Sequence, residues 1–145
     1  MFISVEEAPA LLASGLSILV PPFRSLSPDP RDQTFCDGLT EEVVHKLAQD
    51  CRLRVITQSA AAWLQQSDGR KPRFLLEASV RQAGAEIRLT LHLMEVTGGG
   101  STRLSNLYQS TINDVFATQE RLAEEIRGDI TAALDLDEPG SGSIN

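Results

Sequence analysis

Apolar and polar positions along the chain follow two rhythms, one helical and one alternating. Residues 16–20 (LSILV) are a short apolar run closed by Pro21 and Pro22, which cannot donate to a strand ladder. This predicts a central strand. Residues 24–33 hold Ser25, Ser27, Pro28, Asp29 and Pro30, turn formers without periodicity, and predict a loop at the strand's carboxyl end. From 38 to 49, Leu39, Val43 and Leu47 recur every four positions, widened by Val44 and Ala48, while Glu41, Glu42, Lys46 and Gln49 take the other face. That is an amphipathic helix, with Asp37 as its N-cap and the two glutamates near the positive end of its dipole.

Residues 53–57 (LRVIT) are a second strand, and the intervening helix makes a parallel, right-handed βαβ unit the natural assignment. Residues 60–66 (AAAWLQQ) predict a short helical crossover stopped by Ser67, Asp68, Gly69 and Pro72. The rhythm then becomes alternating. Phe74, Leu76, Ala78 and Val80 alternate with Leu75, Glu77, Ser79 and Arg81; after a turn at 82–85, Ile87, Leu89, Leu91 and Leu93 alternate with Arg88, Thr90, His92 and Met94. This is a β-hairpin. Residues 103–111 predict a weaker strand returning beside its second arm. Asn113 or Asp114 then caps a last helix with the stripe Val115, Leu122, Ile126, Ile130 and Leu134. Residues 137–145 read as a loose tail. Near the start, Pro9 can open a short helix through Ala13, with Gly15 ending it.

The length of 145 residues suits one domain, with its core in 16–134, and 41% hydrophobic with 23% charged residues is ordinary globular composition. Net charge is −7, unevenly spread: −5 over residues 1–50, +4 over 51–113 and −6 over 114–145. An overall acidic chain argues against nucleic-acid binding, since phosphate neutralisation supplies most of such affinity. Cys36 and Cys51 lack ligand-like spacing and read as thiol-bearing small hydrophobes. No apolar run is long enough to span a membrane. Residues 8–20 follow two glutamates instead of a basic segment and do not read as a signal peptide, which leans slightly to the cytoplasm over the periplasm without fixing the compartment.

The segments SILVPPF (17–23), LSPDP (26–30), FCDGLTEE (35–42), LRVI (53–56), LLEASVR (75–81) and VFATQ (115–119) resemble the TolB amino-terminal-like domain. The resemblance runs over about 16–134. It implies an α/β fold similar to an anticodon-binding domain: a mixed five-stranded sheet of order 2-1-3-4-5, strand four antiparallel to the others, with helices packed on it. It also implies a bacterial regulatory setting, since such domains are joined to nucleotide cyclases, CadC-type regulators and tetratricopeptide arrays. Two departures stand out. The crossover at 59–73 is about three turns shorter than usual, and the aromatic usual near Leu104 or Ser105 is missing.

Candidate chemistry is sparse. Asp37, Glu41 and His45 share one helix face at i, i+4, i+8, but without further His or Cys ligands they read as a cap and a solvated face, and no metal or cofactor is expected. His45 and His92 are the only histidines, and no nucleophile, phosphate-loop or zinc-protease motif accompanies them. The expectation is a non-enzyme. Two recognition surfaces remain. One is the loop after the first strand, Pro22 and Phe23 with Asp37 and Gly38, where a helix amino terminus would favour anions. The other is the polar sheet face of Glu77, Ser79, Arg81, Arg88, Thr90 and His92. Together they predict a regulatory or assembly module that binds protein, by self-association or otherwise, with a small-ligand or nucleotide sensor using the first loop as the alternative. RNA binding through Arg70, Lys71 and Arg73 comes third.

Overall fold

The chain is described here from a computed structural model covering residues 16–57, 59, 62, 72–97 and 100–134. Its elements are β1 (Leu16–Leu19), β2 (Arg24–Ser25), α1 (Pro30–Ala48), β3 (Leu53–Ile56), β4 (Phe74–Ala83), β5 (Glu86–Glu95), β6 (Ser101–Thr111) and α2 (Val115–Ala133). The expected N-terminal helix, most of the crossover and the tail lie outside the described residues.

The sheet has the order β3-β1-β4-β5-β6. β1 runs parallel to β3 and β4, and β5 is antiparallel to both β4 and β6, so the five main strands have the expected order and directions. The sixth strand is β2. It pairs with β4 at Ser79 and Val80, continuing the line of β1 past the break at Pro21 and Pro22. The hairpin between β4 and β5 turns on Gly84 and Ala85, and Gly84 has φ 61, the left-handed backbone that primed two-residue turns require.

Alternation sorts the hairpin as predicted. Phe74, Leu76, Ala78, Val80, Ile87, Leu89, Leu91 and Leu93 are all buried under the helices, where they meet Leu39, Val43 and Leu47 of α1 and Leu122, Ile126 and Ile130 of α2. β1 is buried on both faces: Ile18 and Val20 join that core, and Ser17 and Leu19 on the other side are also buried. Ser17 Oγ accepts the Arg73 N–H at 2.8 Å, tying the start of β4 to the sheet's centre.

Two expectations need correction. α1 starts at Pro30 with Asp29 as N-cap, its carboxylate accepting from Arg31 N–H at 2.9 Å, so Asp37 is not a cap and Gly38 lies mid-helix. The first turn is exposed or half-exposed throughout, from Pro30 to Thr34, and therefore carries no apolar rhythm. Asp-Pro read as a turn is here the cap and first residue of a helix. Val115, placed in the apolar stripe of α2, is 46% exposed; it sits at the first helical position, before the stripe turns inward at Leu122.

The helices cross at Gly38. A β-carbon there would stand 2.4 Å from Gln119 Nε2, and that amide, buried, donates to the Phe35 carbonyl at 3.0 Å. Farther along, Lys46 pairs with Glu124 at 3.6 Å. At the edge strand, Tyr108 donates to Asp129 Oδ2 at 2.5 Å and Asn106 donates to the same oxygen at 3.1 Å, fastening β6 to α2.

Candidate functional site

Both helices pack on one side of the sheet, so the outward positions of β4, β5 and β6 form a second, polar face. Its side chains lie in cross-strand rows set by the register. Glu77, His92 and Ser105 make one row; Arg24, Ser79, Thr90 and Leu107 the next; Arg81, Arg88 and Gln109 the third. Glu77, Arg81, Arg88 and His92 are exposed, while Ser79 and Thr90 are half-buried between them. All six residues expected on this face are thus brought together.

Arg81 directly opposes Arg88. Like charges facing each other across a strand pair repel, with β-carbons about 5 Å apart. Arg24 stands one row away, and none of the three arginines forms an ion pair among the described residues. Glu77 and Glu86 are the acids on this face; Glu86 accepts a bond from Thr111 at 2.8 Å. The result is an arginine-rich end near the hairpin turn. Two clefts open onto it, one of about 450 Å³ bordered by Arg81, Glu86, Arg88 and Gln109, the other of about 250 Å³ bordered by Pro22, Arg24, Glu77, Ser79, Thr90 and His92.

The loop site divides. Pro22 reaches the smaller cleft and so joins the strand face, whereas Phe23 is fully buried and its N–H donates to Thr40 Oγ1 of α1 at 2.9 Å. Asp37 lies exposed on the outer side of α1, accepting from Gln33 Nε2 at 2.9 Å, and Gly38 faces α2. The four residues do not converge, and the helix amino terminus expected beside Gly38 is about two turns upstream at Pro30. Its free amides go with it.

Sequence reasoning missed Arg24, Ser105, Leu107 and Gln109 on the polar face. A two-residue strand carries no rhythm, so nothing in PPFRS marks Arg24 as a sheet residue. Leu107 and Gln109 were available from alternation in β6, where Leu107 is 53% exposed.

The first row sets a carboxylate, an imidazole and a hydroxyl in line, with Ser105 Oγ 3.1 Å from His92 Nδ1. All three are exposed. Asp37, Glu41 and His45 run along the solvent side of α1, with His45 Nε2 3.2 Å from Gln49 Nε2, and no group of three or more His, Cys, Asp or Glu is placed to hold a metal among the described residues. Of the basic segment, Arg73 lies 3.5 Å from Glu95, which also pairs with Arg103 at 2.7 Å.

No family model matches the chain. A protein of Rhizobium meliloti (strain 1021), whose name gives it as a candidate adenylate cyclase, is 31% identical over 131 residues, covering 83% of this chain. The chain spans only 22% of that relative's length. Among solved structures, a PelC variant from Paraburkholderia phytofirmans, described as a dodecamer, superposes with a TM-score of 0.58 at 16% identity, over 79% of this chain and 88% of that one. TolB from Acinetobacter baumannii superposes with a TM-score of 0.58 at 16% identity, over 83% of this chain and 28% of TolB. The fold is TolB-like.

Proposed function

We propose that this chain is a non-catalytic assembly module that self-associates through its open strand face, serving as a regulatory part of a larger bacterial protein. One observation carries the reading: Arg81 and Arg88 are exposed, directly opposed and joined by Arg24, a repulsive set that an anionic protein surface would relieve. The named relative supports a setting within a cyclase polypeptide, and the dodecameric PelC structure supports a fold compatible with assembly. The absence of chemistry is part of the proposal. Ser105 and His92 are both exposed to solvent, without the enclosed, preorganised surroundings in which a hydroxyl becomes a nucleophile.

Sedimentation velocity over a wide concentration range tests the reading. At low ionic strength the mass should rise above that of the 15.8 kDa monomer, and it should return to the monomer value in high salt. Arg81→Ser with Arg88→Ser should abolish the rise. A chain that stays monomeric even at millimolar concentration and low salt removes the proposal.

A second reading rests on the 250 Å³ cleft, where Arg24, Ser79, Thr90 and His92 offer donors to a small carboxylate, with Glu77 on the same rim opposing it. It predicts a thermal shift with dicarboxylates under dilute, monomeric conditions, lost on Arg24→Ala. No shift with any acid would leave only the assembly reading.

A further inference from the structure

We infer that the occupant of the arginine-rich strand face is the outer side of α1 of a second copy of this chain, docked head to tail. The inference rests on the self-association reading and adds the partner surface.

The complement lies on the same molecule. Thr34, Asp37, Glu41 and His45 form the solvent stripe of α1, and Asp37 and Glu41 are both exposed. Neither takes part in an ion pair among the described residues. The β-carbons of residues one helical turn apart are separated by about 6 Å, close to the spacing of about 5 Å between β-carbons of opposed residues on neighbouring strands. A helix laid across β4 and β5 therefore sets one carboxylate against Arg81 and the other against Arg88. Each guanidinium then gains an acceptor that fits its donor fork, and the repulsion between them is screened at its source.

The two surfaces lie on opposite sides of the body, because the helices cover one side of the sheet and the arginines project from the other. No copy can satisfy both with itself. The contact is heterologous, so successive copies add in one direction and close into a ring or continue as a filament. A two-fold pairing of strand faces fits less well. With the strand ends aligned it sets arginine over arginine, and with them inverted it opposes Glu77 to Arg81 but lays Arg24 over its own copy. Nucleic acid also fits poorly, since the three rows hold no Phe, Tyr or Trp for a base to stack on and the chain carries a net charge of −7.

Charge reversal at exposed positions provides the test. One variant carries Arg81→Glu and Arg88→Glu; the other carries Asp37→Lys and Glu41→Lys. Far- and near-ultraviolet circular dichroism and the thermal midpoint establish that each is folded, and a single Glu41→Lys replaces the double variant if loss of the Gln33–Asp37 bond disturbs α1. Sedimentation velocity at low ionic strength should show wild-type species larger than a dimer, and each variant alone should associate roughly a hundredfold more weakly. An equimolar mixture of the two variants should regain wild-type assembly, since each surface again meets its opposite.

Assembly of the helix variant at wild-type strength, with the strand variant monomeric, overturns the head-to-tail contact and leaves face-mediated association standing. Two monomeric variants whose mixture stays monomeric also overturn it. A monomeric wild-type chain at millimolar concentration overturns the underlying reading as well.

Discussion

Replacing Gly38 with alanine should destabilise this protein, although the same change in an open helix stabilises. Alanine is favoured over glycine inside a helix by about 1 kcal/mol. At Gly38 the new β-carbon would lie 2.4 Å from Nε2, 3.1 Å from Cδ and 3.2 Å from Oε1 of Gln119. Those atoms end a flexible side chain, so the helices need not separate; the amide must swing away. It then abandons the Phe35 carbonyl, 3.0 Å away in a site where Gln119 is 5% and Phe35 6% exposed. A buried amide and carbonyl left unpaired cost about 1–3 kcal/mol. With the displaced amide crowding its neighbours, the net expectation is a loss of about 1–2 kcal/mol, the helix preference offsetting the remainder.

A mutant cycle isolates the cause. Gln119→Ala alone should cost about 1 kcal/mol for the lost bond and the space it leaves. Once Gln119 is alanine, adding Gly38→Ala should be neutral or stabilising, which makes the coupling between the two positions about 1 kcal/mol or more. Urea unfolding, read as the midpoint at constant slope, gives all four corners. If Gly38→Ala raises the midpoint in the wild-type background, or if the two changes simply add, the close crossing of α1 and α2 at this point is not what holds glycine there.

Three further outcomes follow from named contacts. Asp114→Ala removes the side chain that accepts from Ala117 N–H at 3.0 Å at the start of α2 and should cost about 1 kcal/mol, with Asp114→Asn nearly neutral in the same urea assay. A thiol reagent should modify exposed Cys51 quickly and Cys36 only on opening, because burial, with lesser contributions from Asp37 and Asp32, pushes the Cys36 thiol up to about 11; rapid loss of two thiols contradicts this. Tyr108 is the sole tyrosine, so phenolate absorbance reads one site. Burial first, then its bond to Asp129, raises its pKa well above the usual value of about 10. The stabilisation is therefore complete below the unfolded value and declines as pH climbs past it towards the folded one, and Tyr108→Phe should flatten that alkaline decline in stability.

Much of the sheet could be read from residue spacing because both arms of the hairpin keep strict alternation for ten residues, and a slip of one position would turn Leu76, Leu89 and Leu91 to solvent. The start of α1 could not. Its first turn buries nothing, so periodicity is silent from Pro30 to Thr34, and Asp29-Pro30 has the composition of a turn. That single shift moved Gly38 from a helix terminus to a helix crossing and dissolved the expected anion site. Phe23 misled for a related reason: a proline-flanked aromatic after a strand resembles a loop residue, but β2 re-enters the sheet immediately and folds the ring inward. That Glu77, Ser79, Arg81, Arg88, Thr90 and His92 share one outward side of the hairpin could be read because it needed only alternation. Arg24 escaped because two residues of strand have no period.

The charge blocks along the sequence acquire a spatial meaning through this topology. Both acidic blocks supply a helix, and both helices lie on one side of the sheet; the basic block supplies the hairpin, whose outward positions form the other side. Local pairing then removes several of the basic charges, since Arg52 meets Asp50 at 2.8 Å and Arg73 and Arg103 share Glu95. Arg81 and Arg88 are left without such neighbours, and β2 adds Arg24 to them. On the helical side, Arg121, Arg127 and Lys46 are matched by Glu125 and Glu124, while Asp37 and Glu41 remain outside any pair among the described residues. Unpaired positive charge on one side and unpaired negative charge on the other give each copy two unlike surfaces, an arrangement that favours stacking in one sense over pairing face to face.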